Sequence, residues 1–257
     1  MKHTLTIKEG QIPILGLGTY GLNGRKCTDI VSGAIQLGYR HLDTAQMYRN
    51  ESEVGKGIRN SGTPRGEVFL TTKVSTGNMD PSSIRSSTEK SLEKLGTDYV
   101  DLLLIHWPTS GMDLESCLGA MFDLRNQGKL RHVGVSNFDS GLFRQAMDLG
   151  PVVCNQVEFS PYVNQSENLT TAKYGGAIIT AYSPLARGRV GRDDLLVEIG
   201  KEYQKTAAQV ALRWLVQQES VSVIPKSGGE THLRENMEIF DFDLSDEDME
   251  KISALNR

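Results

Sequence analysis

A closed (β/α)8 barrel of the TIM type is the fold this sequence predicts, and three observations predict it. Strand-like apolar runs alternate with helix-like periodicity along the chain without a break. Eight such runs fit into 257 residues, the usual size of that barrel. Polar and aromatic residues gather at the C-terminal ends of the runs, where a barrel carries its chemistry. An open, doubly wound sheet is the alternative, because periodicity carries no information about closure.

Residues 3–14 read as two short strands joined at Glu9-Gly10, a hairpin ahead of the repeat. The next segment, ILGLGTYG, supplies the first barrel strand and contains a formal GxGxxG at Gly16, Gly18 and Gly21. Asp43 then lies about where a dinucleotide fold would place its ribose-binding acid. Such a turn needs a helix starting inside the glycine run, whereas 22–26 reads as loop and helical periodicity begins near Cys27. The glycines are therefore read as a close-packed strand.

Helix 28–37, strand 39–42, helix 51–60, strand 68–72, helix 81–95 and strand 100–105 follow. Helix 114–127 leads to strand 133–135, helix 140–149 to strand 153–157, and helix 166–174 to strand 177–182. Two helices, 193–204 and 207–218, precede the last strand, 221–224; helices 231–240 and 246–255 complete the chain. Pro81 suits a first helical turn, Gly62, Gly96 and Gly128 suit helix exits, and Ser245 with Asp248 forms a capping-box pattern. No linker interrupts the pattern, so residues 1–257 are expected to form a single domain.

With 38% hydrophobic and 23% charged residues and no long like-charge block, the chain has the composition of an ordered globule. A net charge of −4 gives no broad attraction for nucleic acid. The N-terminus lacks the apolar core of a signal peptide, and no run reaches the roughly 18 apolar residues of a membrane span. A cytoplasmic monomer without membrane or nucleic-acid partners is the expectation. Cys27, Cys117 and Cys154 are widely spaced and read as buried small hydrophobes. Neither a metal site nor a Gly-x-Ser-x-Gly elbow is indicated by the spacing of the histidines and serines.

The strand ends carry Tyr20, Asp43, Lys73, His106-Trp107, Ser136-Asn137, Gln156 with Glu158, Tyr182-Ser183 and Lys226-Ser227. The densest stretch, GYRHLDTAQMYRNESEVG at 38–55, holds Asp43, Tyr48 and Glu51 at one strand-to-helix corner. Tyrosine is a weak acid, with an ordinary pKa of roughly 10. A lysine ammonium beside Tyr48 is expected to lower that value, and a buried Asp43 to keep Lys73 charged. His106 can orient a carbonyl and stabilise charge developing on its oxygen. The array suits protonation of an alkoxide as hydride arrives, which implies a nicotinamide cofactor because no side chain carries hydride. Lys226-Ser227-Gly228-Gly229, ahead of a helix, reads as a phosphate-binding loop.

These residues resemble the aldo-keto reductase family along essentially the whole chain, through the stretch at 38–55, LEKLGTDYVDLLLIHWP at 92–108 and VIPKSGGETHLRENMEIFDF at 223–242. The resemblance implies that Tyr48 is the general acid, tuned by Lys73 and Asp43, with His106 orienting the carbonyl. For the cofactor it implies stacking on Tyr182 and carboxamide contacts from Ser136, Asn137 and Gln156. Ser183, Pro184 and Leu185 would follow the pyrophosphate, and Gly18, Thr19 and Asp43 would border the cofactor. Lys226, Ser227, His232 and Asn236 would hold the adenosine-phosphate end. Tyr20, Met47 and Trp107, together with Tyr48 and His106, would line the pocket of a small-molecule carbonyl substrate.

NADPH is the implied cofactor. The family usually places an Arg where this chain has His232, with Arg234 two residues on. Imidazole cannot fork onto a phosphate as guanidinium does, so NADH use stays open. Many relatives also carry a C-terminal tail over the pocket, whereas this chain stops at Arg257, so an open pocket is expected. Within the family the chain looks most like the bacterial 2,5-diketo-D-gluconate reductase and methylglyoxal reductase branch. The reading from another class is a cofactor-binding redox sensor or accessory subunit with little turnover; an intact Asp43, Tyr48, Lys73 and His106 set argues against it.

Overall fold

A two-stranded antiparallel hairpin, β1 (Thr4–Ile7) and β2 (Gly10–Pro13), precedes eight parallel strands in a computed structural model that describes residues 3–8 and 10–256. Glu9, expected in the hairpin turn, and Arg257 lie outside the described residues. The parallel strands are β3 (Leu17–Gly18), β4 (His41–Asp43), β5 (Phe69–Val74), β6 (Val100–Ile105), β7 (Leu130–Ser136), β8 (Val152–Glu158), β9 (Ile178–Tyr182) and β10 (Val221–Val223). Each pairs with the next in sequence order.

Closure comes from the backbone between first and last strands. Gly16 N–H donates to the Val223 carbonyl at 2.8 Å, Val223 N–H to Ile14 at 2.8 Å, and Gly18 N–H to Pro225 at 3.2 Å. Bridges from Leu15 to Val223 and from Gly18 to Lys226 complete the ring, which removes the open-sheet alternative. The glycines make this seam possible. A Cβ at Gly18 would stand 2.6 Å from the Ile224 carbonyl oxygen, and one at Gly16 2.8 Å from the His41 ring. The GxGxxG spacing thus records a close backbone approach, not a nucleotide turn.

The helices are α1 (Gly24–Leu37), α2 (Glu51–Asn60), α3 (Pro81–Leu95), α4 (Leu114–Asn126), α5 (Ser140–Leu149), α6 (Ser166–Gly175), α7 (Asp194–Tyr203), α8 (Ala207–Val216), α9 (Glu230–Met237) and α10 (Asp246–Ser253). Local chemistry accounts for their ends. Asp80 caps α3 by accepting from Ser82 and Ser83 N–H, Pro81 starts its first turn, and Gly96 leaves it at φ 67°. Thr206 and Gln209 form a full capping box at the start of α8. At α10 the expected box is altered: Ser245 Oγ accepts from Asp248 N–H, but Ser245 N–H donates to the Tyr203 hydroxyl, which donates to Asp248 Oδ2 at 2.7 Å.

Alternation along β6 divides the core. Leu102 and Leu104 pack inside the barrel with Phe69, Cys154 and Ile178, while Leu103 and Ile105 join the layer between sheet and helices. Ile7 and Ile12 belong to the inner cluster, so the hairpin plugs the N-terminal end of the barrel and leaves the C-terminal rim for chemistry. All three cysteines are buried and free. No helix of the described residues is long and apolar enough to cross a membrane.

Several boundaries differ from expectation. Helix α1 begins at Gly24, three residues before Cys27, and Asn23 makes no side-chain cap bond that would mark its start. Strand β5 continues to Val74, which puts Lys73 within the strand. Strand β7 runs from Leu130 because both flanking strands pair with it, with an irregularity between Val133 and Val135. Short 3-10 turns at Gln46–Tyr48 and Ala186–Arg192 carry no apolar periodicity and were not expected.

Gly18→Ala is expected to destabilise the protein by about 1–3 kcal/mol through overpacking at the seam. Gly33→Ala in α1, where a Cβ meets nothing within 4 Å, should stabilise it by about 0.5–1 kcal/mol. Urea unfolding of both variants checks the pair, and equal midpoints would refute the seam assignment.

Candidate active site

Strand β4 ends on Asp43 and the chain turns through Gln46–Tyr48, so the carboxylate and the phenol leave the rim within one short segment. Gln46 latches that turn. Its Oε1 accepts from Ser75 N–H at 2.9 Å and Asn78 Nδ2 at 3.1 Å, while Nε2 donates to Ser91 Oγ at 3.2 Å. Asn50 latches the other side, donating to the Thr19 and Leu22 carbonyls at 2.9 Å each and accepting from Thr44 Oγ1 at 2.7 Å. Both residues escaped the sequence reading. Asn50 stands directly before α2, where asparagine reads as a helix cap, yet its side chain makes no cap bond.

Lys73 reaches the same place from β5. Its Nζ donates to Asp43 Oδ1 at 2.5 Å, to the Thr44 carbonyl at 3.0 Å and to the Tyr48 hydroxyl at 3.2 Å. An ammonium has three hydrogens, and all three find acceptors. Lys73 and Asp43 are each 1% exposed, so the pair is held away from water. Gln156 Nε2 donates to the second carboxylate oxygen, Oδ2, at 2.7 Å. The His106 ring lies 5.7 Å from the Tyr48 ring, edge to face, and Tyr20 covers Tyr48 at 5.1 Å.

Burial acts against the Lys73 charge, but Asp43 and then Tyr48 hold its pKa above the ordinary lysine value. Tyr48 departs from expectation: burial raises its pKa by more than the neighbouring Lys73 lowers it, so the phenol keeps its proton more firmly than ordinary tyrosine. The cause is desolvation, which disfavours the tyrosinate. Burial, followed by the Lys73 charge, pushes His106 down to about 4. Its imidazole is neutral near pH 7, and its Nδ1 is buried without a hydrogen-bond partner. A neutral ring carries one N–H to offer a carbonyl oxygen.

A second cluster stands on the neighbouring strand ends. Ser136 Oγ donates to the Gln156 carbonyl at 2.8 Å. Asn137, at φ 62°, donates to Ser136 Oγ and to the His106 carbonyl, and its Oδ1 accepts from Tyr182 OH at 2.8 Å. Tyr182 is half-buried at the end of β9; Ser183 and Leu185 beyond it are also half-buried, and Pro184 is buried. Gly18 and Thr19 are buried at the end of β3, between β10 and β4 in the ring, where Thr19 donates to the Asp43 carbonyl through N–H at 3.0 Å and Oγ1 at 2.9 Å.

Beyond β10, Lys226 is exposed, Ser227 is buried, and Gly229 precedes α9 without giving it a side-chain cap. Its first-turn N–H groups therefore have no side-chain acceptor, a setting that suits phosphate. His232 is exposed and lies 2.8 Å from Glu235, while Arg234 pairs with Glu230 at 2.6 Å. Asn236 is buried, with the Tyr39 hydroxyl beside it.

Tyr20, Met47 and Trp107 are 70%, 50% and 45% exposed, an uncommon state for such side chains and one that fits a ligand-facing rim. Glu51 does not join the array. It is buried on the helix side of the sheet, accepting from Thr72 Oγ1 at 2.8 Å with Lys94 3.7 Å away. Thr72 and Lys73 point to opposite faces of β5, which separates Glu51 from Asp43.

Fold and rim together define a barrel oxidoreductase that works on carbonyl groups. The aldo/keto reductase family pattern matches residues 14–257. A glyoxal reductase of Bacillus subtilis (strain 168) is 42% identical over 263 aligned positions, covering 100% of this chain and 94% of the relative. The methylglyoxal reductase DkgB of Salmonella typhi is 39% identical over 250 positions, covering 95% and 93%. A crystal structure provisionally assigned as 2,5-diketo-D-gluconic acid reductase B superposes with a TM-score of 0.98 at 47% identity, over 100% of this chain and 92% of that one. The chain belongs to the aldo/keto reductase family and is a carbonyl-reducing enzyme; members of this family generally use NAD(P)H.

His106 and His41 both have pKa values lowered chiefly by burial. Below the ordinary value of 6.5 the unfolded chain binds protons that the folded chain does not, so stability should fall as pH drops from 6.5 toward 4. His106→Asn should flatten this dependence. Urea unfolding at several pH values measures it, and parallel wild-type and variant curves would mean that His106 keeps its ordinary pKa in the folded protein.

Proposed function

We propose that this chain reduces small polar dicarbonyl and keto-sugar compounds with NADPH, using Tyr48 as the proton donor. The observation that carries this reading is the Lys73 ammonium, which donates at once to Asp43, to the Thr44 carbonyl and to the Tyr48 hydroxyl. Bound nicotinamide supplies the hydride, which no side chain can. The protein's residues do the rest. His106 offers a neutral N–H to the carbonyl oxygen and fixes which face is presented. The Tyr48 hydroxyl delivers its proton to that oxygen as charge develops there; an alkoxide is basic enough to take it even from a phenol with a raised pKa. Lys73 stabilises the tyrosinate left behind, and Asp43 keeps Lys73 charged.

Ser136, Asn137 and Gln156 suit the carboxamide, and the Tyr182 ring suits the nicotinamide face. Gly18, Thr19, Ser183, Pro184 and Leu185 border the path to the diphosphate. Lys226, Ser227, His232 and Asn236, with the uncapped start of α9, suit the adenosine phosphate. Tyr20, Met47 and Trp107 face the substrate. The names of the relatives, glyoxal reductase, methylglyoxal reductase and diketogluconic acid reductase, support small polar carbonyls as the substrate class. The same reading includes a single-domain cytoplasmic monomer with no nucleic-acid partner. A sensor or accessory subunit would have no use for a buried ion pair directed at a tyrosine hydroxyl.

Steady-state reduction of methylglyoxal, glyoxal and a diketo sugar acid tests the reading. Wild type should turn over at least one, and Tyr48→Phe should lose roughly 100-fold or more in kcat with NADPH affinity nearly unchanged. Retained turnover in the variant would remove Tyr48 as the donor.

For the cofactor, His232→Arg should raise the ratio of NADPH to NADH affinity roughly tenfold by adding a forked donor. Fluorescence titration of both nucleotides reads this ratio. An unchanged ratio would mean that residue 232 does not meet the 2′-phosphate.

A further inference from the structure

Asp43 lies on β4 and Gln156 on β8, four strands apart in a ring of eight, so these two residues face each other across the mouth of the barrel. Their hydrogen bond, Gln156 Nε2 to Asp43 Oδ2 at 2.7 Å, joins opposite walls. Both partners are buried, at 2% and 1% exposure. A carboxylate repels an amide oxygen, so the Gln156 amide has one orientation here, nitrogen toward Asp43. The backbone of Gln156 is tied as well: its carbonyl accepts from Ser136 Oγ at 2.8 Å and from Asn137 N–H at 2.9 Å. One connected set of bonds therefore runs from Tyr48 through Lys73, Asp43 and Gln156 to Asn137 and Tyr182.

We infer that Gln156 is a positioning residue for the proton-donating array, holding Asp43 with Oδ1 toward Lys73 and keeping that carboxylate ionised. This rests on the reading of Tyr48 as proton donor and is separate from a contact between Gln156 and the cofactor carboxamide. The physical need is specific. Burial favours a neutral pair, in which the proton leaves Lys73 Nζ and sits on Asp43 Oδ1, over the ionic pair. A donor on Oδ2 binds an ionised carboxylate more strongly than the carbonyl oxygen of a neutral acid, so it opposes that transfer and keeps an ammonium beside Tyr48. Without it, Oδ2 would be buried and unpaired, and the carboxylate would be free to rotate.

The titratable groups around Asp43 are Lys73 from β5, Tyr48 from the turn, His106 from the end of β6, and His41 and Cys154 toward the barrel floor. Burial keeps both histidines neutral near pH 7 and raises the Cys154 thiol to about 12. Lys73 is therefore the one cation of this set, and Gln156 supplies the neutral donor that complements it.

The test compares wild type with Gln156→Leu and Gln156→Glu. NADPH affinity is read by fluorescence titration, and kcat at saturating NADPH and carbonyl is followed from acid to alkaline pH. Gln156→Leu should lower kcat roughly tenfold to a hundredfold, the loss expected for one hydrogen bond to a charged group. Gln156→Glu keeps the shape but can donate only while its carboxyl is protonated. Its kcat should approach wild type at acid pH and fall as pH rises, adding a limb that wild type lacks. A merely structural role would not create that limb. If both variants keep the wild-type kcat profile and lose only NADPH affinity, Gln156 serves the cofactor alone and the inference is overturned. Circular dichroism checks folding, and if the Leu variant does not fold, the Glu profile decides. Absence of turnover in wild type would instead count against the reductase reading.

Discussion

The ion pair between Lys73 and Asp43 is the interaction on which the rest of the site depends. Both groups are nearly inaccessible, and taking two charges out of water costs several kcal/mol for each ion. Such a pair persists only where the geometry is good and the remaining hydrogens and lone pairs are used. Here all three ammonium hydrogens and both carboxylate oxygens are engaged. Lys73 and Asp43 stand on the adjacent strands β5 and β4, whereas the Gln156 donor comes from β8, so the full set of partners exists only because the sheet closes. Closure in turn depends on Gly16 and Gly18, where backbones meet too closely for a side chain.

That buried charge pair sets the electrostatics of its surroundings. Desolvation and the Lys73 charge keep His106 neutral, and desolvation keeps the Tyr48 proton in place despite the ammonium beside it. A neutral imidazole and a protonated phenol beside a lysine cation form a donor-rich floor, suited to an oxygen that becomes negative during reaction. Around that floor the rim is apolar and exposed, with Tyr20, Met47 and Trp107. The opposite end of the barrel is filled by the hairpin, through Ile7 and Ile12.

Much of this was legible in the sequence, because the strongest local signals are also the ones the fold obeys. α2, α3, α5 and β6 begin and end where periodicity and caps put them. Weaker signals failed for identifiable reasons. The start of α1 has no side-chain cap to announce it, β7 is lengthened by pairing on both sides, and the 3-10 turns are too short for a period. Among the candidate site residues, Asp43, Tyr48, Lys73 and His106 were visible as polar groups at apolar strand ends. Asn50 carries no sequence signal for its bonds to Thr19, Leu22 and Thr44, and Glu51, one step along, proved to lie on the other side of the sheet. The direction of the Tyr48 shift was missed because a charge can be counted from sequence and burial cannot.

By itself, then, the sequence determined the eight-fold alternation, the ends of the strongest helices and the kinds of group available at the rim, since periodicity, capping and residue chemistry are local properties. Tertiary structure decided what no local signal contains: that the sheet closes, that Lys73 spends all three hydrogens on one cluster, and that Gln156 reaches Asp43 across the barrel mouth. These contacts join residues far apart in the chain, 113 positions in the case of Gln156 and Asp43, and the strength of the polar ones comes from water being excluded around them. Both conditions arise only when the whole ring has formed.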